Sequence, residues 1–349
     1  MARRYDTGGV DWAERAGAAE RAITERHLRP VCGLPGTALG CLGWPPEPRE
    51  RFFIRWGYWW QAHLLDCLVD AQLRAPDTTR LTSIGRLLRS IGLRNVGRWT
   101  NDYYDDIAWL GLAVQRVAAV TGRDLGGPQR AILRRLRSGW TDDGGGGIWW
   151  RRGDMFKNAP ANGPAAIMHA RAGEIERARA ITDWMESRLV DPRTGLVADG
   201  LRLDTGKLVQ RYYSYCQGVF LGACLELGEL DAAARTVRAV AEHCVAGGVL
   251  RGAGGGDGGL FAGILARYLA LAALQLPEPA SGTARELVLA SAQACWSNTI
   301  QAPGGPLFGP EWNSPAPEVS ALPGSQARDL SVQLSGWMLL EAAARLSQQ

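Results

Sequence analysis

The chain has 349 residues, enough for two ordinary domains or one large toroid. Hydrophobic residues make up 46% and charged residues 21%, a balance that builds a large core and excludes a disordered chain. The net charge of +4 comes almost wholly from arginine, since Lys157 and Lys207 are the only lysines; the arginines fall among Glu and Ala on amphipathic segments, a pattern that does not point to nucleic acid.

Hydrophobic periodicity marks twelve helices, over residues 11–29, 52–75, 78–93, 103–123, 127–139, 160–172, 174–190, 212–228, 230–245, 259–275, 282–298 and 329–347. The one strand signal is an alternation over residues 195–211 around Asp204-Thr205-Gly206, which predicts a small hairpin. Two kinds of helix alternate. The odd members are rich in Arg and Glu with one apolar stripe, as in 175–190 and 231–244, and predict helices with a solvent face. The even members are apolar or small nearly all round, as in 52–71, 212–227 and 260–272, and predict buried helices. Twelve helices alternating outer and inner describe six α-hairpins closed into a ring, an all-α (α/α)6 barrel. No linker rich in Pro, Ser or charge divides the chain, so residues 1–349 read as one domain.

In such a ring the six inner helices run parallel and their N-termini open on one face. The unusual residues of the chain stand just before those helices or in their first turns: Trp44 with Trp56–Trp60, then Asp102–Asp106, Gly144–Asn162, Arg211–Gln217, Gly254–Phe261 and Phe308–Asn313. They predict a single mouth lined by Gly, Trp and Asp, the concave kind of site that binds small molecules.

Asn101-Asp102-Tyr103-Tyr104-Asp105-Asp106-Ile107-Ala108-Trp109 opens the fourth helix. Acids at a helix start serve as caps and favour the helix dipole. Capping uses one or two of them, however, and here two tyrosines and a tryptophan follow on an inner helix. Adjacent carboxylates repel, which raises one pKa and leaves an acid beside a base, the division of labour that glycoside hydrolysis uses. Gly144-Gly145-Gly146-Gly147-Ile148-Trp149-Trp150, followed by Lys157-Asn158 and Asn162, reads either as a flexible loop with core tryptophans or as a sugar platform with polar groups for hydroxyls. Gly254-Gly255-Gly256-Asp257-Gly258-Gly259 follows no strand and lacks a βαβ frame, so it reads as a tight loop presenting Asp257 and not as a dinucleotide site.

The seven cysteines (Cys32, Cys41, Cys67, Cys216, Cys224, Cys244 and Cys295) show no Cys-x-x-Cys or Cys/His spacing, and predict buried free thiols in a reducing compartment. His27, His63, His169 and His243 have no metal-ligand spacing, so no metal and no cofactor is expected. The chain starts with a charged helix and without the apolar core of a signal peptide, and no apolar run reaches the roughly 18 residues of a membrane span. The expectation is a cytoplasmic protein with no membrane partner, or a secreted one if a signal sequence had preceded this start.

In order, Tyr58-Trp59-Trp60-Gln61-Ala62, Tyr104-Asp105-Asp106-x-x-Trp109, Gly147-Ile148-Trp149-Trp150, Lys157-Asn158-Ala159 with Asn162-Gly163, Tyr215-Cys216-Gln217-Gly218 and Gly256-Asp257-Gly258-Gly259-Leu260-Phe261 resemble glycoside hydrolase family 76 from about residue 44 to the C-terminus. The resemblance implies an (α/α)6 barrel and a retaining endo-α-1,6-mannanase, with Asp105 as nucleophile and Asp106 as general acid/base. It implies α-mannan or mannooligosaccharides as substrate, met by Tyr104, Trp109, Trp149, Trp150, Asn158, Asn162, Tyr215, Gln217 and Asp257. Leu110 and Cys216 depart from the family pattern, which usually has an aromatic and an Asn there, and Pro160 and Ala161 replace Ile and Ser. A mannan transglycosylase using the same acids, a sugar epimerase relying on His and a glycan-binding homologue without turnover are the rival readings.

Overall fold

The computed structural model describes residues 11–319 and 323–348. Among them run helices α1 (Trp12–His27), α2 (Pro48–Arg51), α3 (Tyr58–Arg74), α4 (Thr78–Arg94), α5 (Tyr104–Thr121), α6 (Gly126–Arg137), α7 (Ala159–Arg171), α8 (Ile175–Leu189), α9 (Ser214–Leu227), α10 (Leu230–His243), α11 (Phe261–Gln275), α12 (Ala280–Ser297) and α13 (Leu330–Ser347). Twelve of these match the predicted helices. The exception is the single turn α2, which a Glu47/Glu50 capping box closes.

The inner helices α3, α5, α7, α9, α11 and α13 each pack on the next, and α13 closes on α3. The outer helices α1, α4, α6, α8, α10 and α12 pack against this ring, completing the (α/α)6 barrel. Inner helices are buried nearly all round: every residue of α7 from Ala159 to Ala170 is buried, whereas α10 buries only Ala232, Ala233, Thr236, Val237, Ala239 and Val240. Close approach of the inner helices depends on small residues. A Cβ on Gly263 of α11 would stand 2.6 Å from the Ser335 backbone of α13, and the Ser335 hydroxyl accepts the Gly263 N–H at 2.8 Å.

Short antiparallel ladders decorate the loops: β1 (Leu28–Arg29) with β2 (Leu39–Gly40), β3 (Phe156–Asn158) with β4 (Gly200–Arg202) and β5 (Lys207–Val209), β6 (Val245–Ala246) with β7 (Val249–Leu250), and β8 (Ile300–Ala302) with β9 (Gly305–Leu307). The predicted hairpin is β4–β5, and β3 adds to its edge. The other hairpins carry two or three residues per strand, too few for a period to show in the sequence.

One device repeats around the ring. The fourth residue of α3, α7, α9 and α13 is a buried amide, Gln61, Asn162, Gln217 and Gln333. Each grips one residue of a loop through both backbone groups. Gln61 accepts the Gly40 N–H at 2.7 Å and donates to the Gly40 carbonyl at 2.9 Å. Asn162 does the same to Ile148 (2.7 and 2.8 Å), Gln217 to Val197 (2.7 and 2.8 Å) and Gln333 to Phe308 (3.1 and 2.9 Å). These short loops have no long ladder to satisfy their backbone, so the amide supplies both partners at once.

At the opposite end the lumen is closed by charge. Arg116 of α5 and Arg267 of α11 each bridge Asp66 and Asp70 of α3, and Arg74 joins Glu341 to Glu20. Gly256–Gln275 is long and apolar enough to cross a membrane by length and composition, contrary to the expectation that no such run exists; it is a mostly buried inner helix of the ring.

The amide grips predict that Gln217→Leu and Gln333→Leu each lower the free energy of unfolding by roughly 2–4 kcal/mol, because two buried backbone groups lose their partners at once. Urea unfolding followed by circular dichroism measures it; a loss below about 0.5 kcal/mol would show the grips to be dispensable.

Candidate active site

The N-terminal ends of α3, α5, α7, α9 and α11 surround a cleft of about 570 Å³. Three aromatic groups wall it. Trp59 of α3 and Trp109 of α5 lie 6.5 Å apart. Trp150 and Phe156 meet edge to face at 6.2 Å. Tyr215 of α9 stacks on Phe261 of α11 at 3.8 Å with Tyr213 beside them. Between these walls stand the carboxylates of Asp105, Asp199 and Asp257, and one cation, Arg202.

Asp105 and Asp106 occupy the first turn of α5. The loop before that helix is tied to the Trp150 loop: the Tyr104 N–H donates to the Trp150 carbonyl at 2.8 Å, and Tyr103 bridges Arg151. This pairing brings the Trp150 indole to Asp105, where Nε1 donates to Oδ2 at 3.0 Å. The other oxygen of Asp105 accepts the Asp106 N–H at 2.9 Å. Asp106 accepts from Asn101 Nδ2 at 2.7 Å.

Burial raises both carboxyls above the usual carboxylate range. For Asp106 the neighbouring Asp105 charge adds to the rise, and for both the charge of Asp257 does so. Opposing this, the N–H donors of Asp106 and Trp150 favour the ionised form of Asp105, while Asp106 has the single Asn101 donor. The pair is therefore arranged to carry one proton, with the anion best stabilised on Asp105 and the proton on Asp106. Asp257 is held in place by two indoles, Trp59 Nε1 at 3.0 Å and Trp60 Nε1 at 2.9 Å, both on Oδ1. Burial also lifts Asp199 to about 6.

Of the residues singled out in the sequence, Asp105, Trp109, Trp150, Asn158, Tyr215 and Asp257 line the cleft. Asp106, next to Asp105 on the same turn, is not among the lining residues. Asn158 also caps α7, accepting the Ala161 N–H at 3.2 Å.

Four expected sugar contacts are placed elsewhere. Asn162 and Gln217 are fully buried and spend their amides on loop backbone. Tyr104 is 5% exposed and packs its ring where a Cβ on Gly139 would meet it at 2.6 Å. Trp149 faces the Lys157 ammonium, 4.5 Å from its ring. That ammonium is itself fully buried, donating to the carbonyls of Thr141, Asp143 and Gly146. Gly144–Gly147 all take positive φ, which lets the loop wrap the ammonium under Trp140 and Trp184; the Gly/Trp/Lys motif thus builds a loop anchor, and only Trp150 reaches the cleft. Phe308, from the last predicted mouth segment, is likewise buried under Gln333.

The departures Leu110 and Cys216 are fully buried and do not line the cleft. His63 lies under Trp59 and Trp109, 3% exposed, and burial with the nearby Arg267 holds its pKa well below the ordinary value. It is not the exposed imidazole an epimerase needs. The cysteines are buried except Cys32.

Asp199, Arg202, Phe156, Tyr213 and Trp59 line the cleft without having been singled out as contacts. Asp199 and Arg202 come from the β4 segment, where nothing marked a site; the β3–β4 pairing of Asn158 with Gly200 brings them in. Trp59 belonged to a predicted mouth segment and carried no assigned contact.

The model of the family described as Glycosyl hydrolase family 76 matches residues 18–346. No curated protein matches the chain. Among solved structures, the GH76A α-1,6-mannanase of Salegentibacter sp. HEL1_6 superposes with a TM-score of 0.85 at 33% identity, over 96% of this chain and 100% of that one. An inactive variant of the same mannanase, with two adjacent aspartates replaced by asparagine, was solved in complex with α-1,6-mannotriose and matches at 32% identity with a TM-score of 0.85, over 96% and 100% of the two chains. The Lin0763 protein of Listeria innocua matches with a TM-score of 0.85 at 30% identity, over 97% and 98%. The (α/α)6 barrel, the ordered motifs and a family match across nearly its whole length agree: the chain belongs to glycosyl hydrolase family 76 and is a glycoside hydrolase acting on O-glycosyl bonds.

Proposed function

We propose that the protein hydrolyses α-1,6-linked mannan or mannooligosaccharides with retention of configuration, using Asp105 as nucleophile and Asp106 as general acid/base. The observation that carries this reading is the unequal environment of the two acids. Asp105 receives two N–H donors, which favour its ionised form; Asp106 receives one and is the better seat for the proton. In the first step Asp105 attacks the anomeric carbon while Asp106 protonates the departing glycosidic oxygen. In the second, Asp106, now ionised, takes a proton from water, which displaces Asp105 from the mannosyl-enzyme.

The aromatic walls suit this chemistry, because pyranose C–H faces pack on Trp and Tyr rings. Asp199, Asp257 and Arg202 offer hydrogen-bonding groups to hydroxyls between those walls. The α-1,6-mannanase at 33% identity, whose paired aspartate variant is inactive, supports both the linkage and the use of adjacent acids.

Replacing Asp105 or Asp106 with Asn is expected to lower kcat/KM on α-1,6-mannotetraose by roughly a thousandfold or more while leaving the fold intact. Substantial residual turnover in either variant would sink the assignment.

The pH profile carries two predictions of opposite sign. Wild-type kcat/KM should be bell-shaped, rising with pH as Asp105 ionises and falling as Asp106 loses its proton. Trp150→Phe removes a donor to the ionised form of Asp105, so the acid limb moves to higher pH and kcat/KM drops roughly ten- to a hundredfold near neutrality. Asp257→Asn removes a negative charge that raises both carboxyls, so both limbs move to lower pH. Limbs that stay in place in both variants would count against the roles given to Asp105 and Asp106.

A further inference from the structure

One surface beside the mouth combines apolar exposure, positive charge and an unusual backbone. Among the described residues eleven large hydrophobic side chains are exposed, and five of them, Leu34, Phe52, Ile54, Leu93 and Val96, belong to it. Three contacts tie its segments together. Arg94 donates to the carbonyls of Phe53 and Ile54 (2.9 and 3.3 Å), Arg89 donates to the Gly36 carbonyl (3.3 Å), and the Cys32 thiol meets the Phe52 carbonyl (3.7 Å).

Backbone strain is concentrated in the same place. Cys32, Phe53 and Val96, with φ of 49°, 53° and 56°, are the non-glycine residues of positive φ among those described, and for bulky and β-branched side chains that conformation costs energy. At Phe53 its consequence is visible. The Phe53 ring is 1% exposed and plugs the core, while Phe52 and Ile54 on either side are each 59% exposed. A regular helix over this stretch, as the periodicity predicts, would not turn both neighbours outward.

The charge around these side chains is mostly positive, with Arg55 paired to Glu50 at 3.8 Å. Residues 28–57 and 89–98 hold seven arginines (Arg29, Arg49, Arg51, Arg55, Arg89, Arg94, Arg98) against two acids, Glu47 and Glu50. Glu50 is buried and accepts the N–H groups of Gly43 and Glu47. All the arginines but the half-buried Arg94 are exposed. The arginines that look dispersed in the sequence thus surround an apolar face. It also adjoins the cleft: Arg94 lies over the Trp56 ring, Trp56 packs on Tyr58, and Trp59, the next residue, lines the cleft.

We propose that this face docks the enzyme on an anionic lipid surface, with Phe52 and Ile54 entering the interface and the arginines meeting lipid phosphates. Exposed aromatic and aliphatic side chains flanked by arginine are what a peripheral membrane contact requires. No helix crosses the bilayer in this arrangement. Only one consequence rests on the proposed mannanase reading: the mouth would sit at the membrane, suited to glycans carried there.

Sedimentation of the full chain with vesicles tests it. The protein should pellet with phosphatidylcholine–phosphatidylglycerol vesicles at low salt, lose binding as salt rises, and fail to pellet with phosphatidylcholine alone. The double variant Phe52→Ser/Ile54→Ser should bind about tenfold more weakly or worse, as should Arg49→Gln/Arg51→Gln. These side chains are exposed, so thermal unfolding and turnover of soluble mannotetraose should match wild type, which separates a failure here from a failure of the mannanase reading. Absence of vesicle binding at low salt would overturn the proposal. So would serine variants that bind as tightly as wild type, or dimerisation through this face without lipid binding.

Discussion

The buried amides on the inner helices are the constraint on which the rest depends. An (α/α)6 barrel supplies a stiff ring of parallel helices that carries Asp105, Trp59, Trp109, Tyr215 and Phe261, but Trp150, Asp199 and Arg202 lie outside the helices with almost no sheet to support them. Gln61, Asn162, Gln217 and Gln333 each hold one loop residue by both backbone groups. Through Ile148 the Asn162 grip fixes the segment that carries Trp150, and through Val197 the Gln217 grip fixes the approach to Asp199. A second anchor, the Lys157 ammonium, draws the Gly144–Gly147 loop shut behind Trp149. These buried polar contacts position the part of the cleft that lies outside the helices, while Trp59, Trp109, Tyr215 and Phe261 are positioned by the packed inner helices.

Within that frame the chemistry is electrostatic. Burial would keep both adjacent aspartates protonated, and the helix N-terminus alone does not reverse this. The two N–H donors on Asp105 break the symmetry, and burial, then the Asp105 charge, and last the charge of Asp257, itself fixed by two indoles, push the Asp106 carboxyl up. At the far end of the ring Asp66, Asp70, Arg116 and Arg267 form a network of paired charge between α3, α5 and α11.

The ring was legible in the sequence because outer and inner helices differ over their whole length, as α10 and α7 do, and twelve repetitions make the alternation plain. The Asp105–Asp106 pair stands out in the sequence because adjacent acids beside tyrosines and a tryptophan exceed what capping needs, and the structure places Asp105 in the cleft. The polar contacts were read less well. Asn162 and Gln217 look like sugar ligands in one dimension, since a polar side chain near a mouth has the same signature whether it faces a hydroxyl or a backbone amide. Asp199 and Arg202 were missed because only the pairing of β3 with β4, three residues long, brings them to the cleft. The helix predicted from residue 52 starts at Tyr58 because Phe53 and Gly57 take left-handed conformations, which hydrophobic periodicity does not register.

The central claim is the division of labour between Asp105 and Asp106. It is tested most directly by trapping the enzyme with a fluorinated mannosyl donor that slows the second step and mapping the labelled peptide by mass spectrometry. A single mannosyl adduct on Asp105 is the predicted result. An adduct on Asp106, Asp199 or Asp257, or turnover to the inverted anomer without any adduct, would contradict the account.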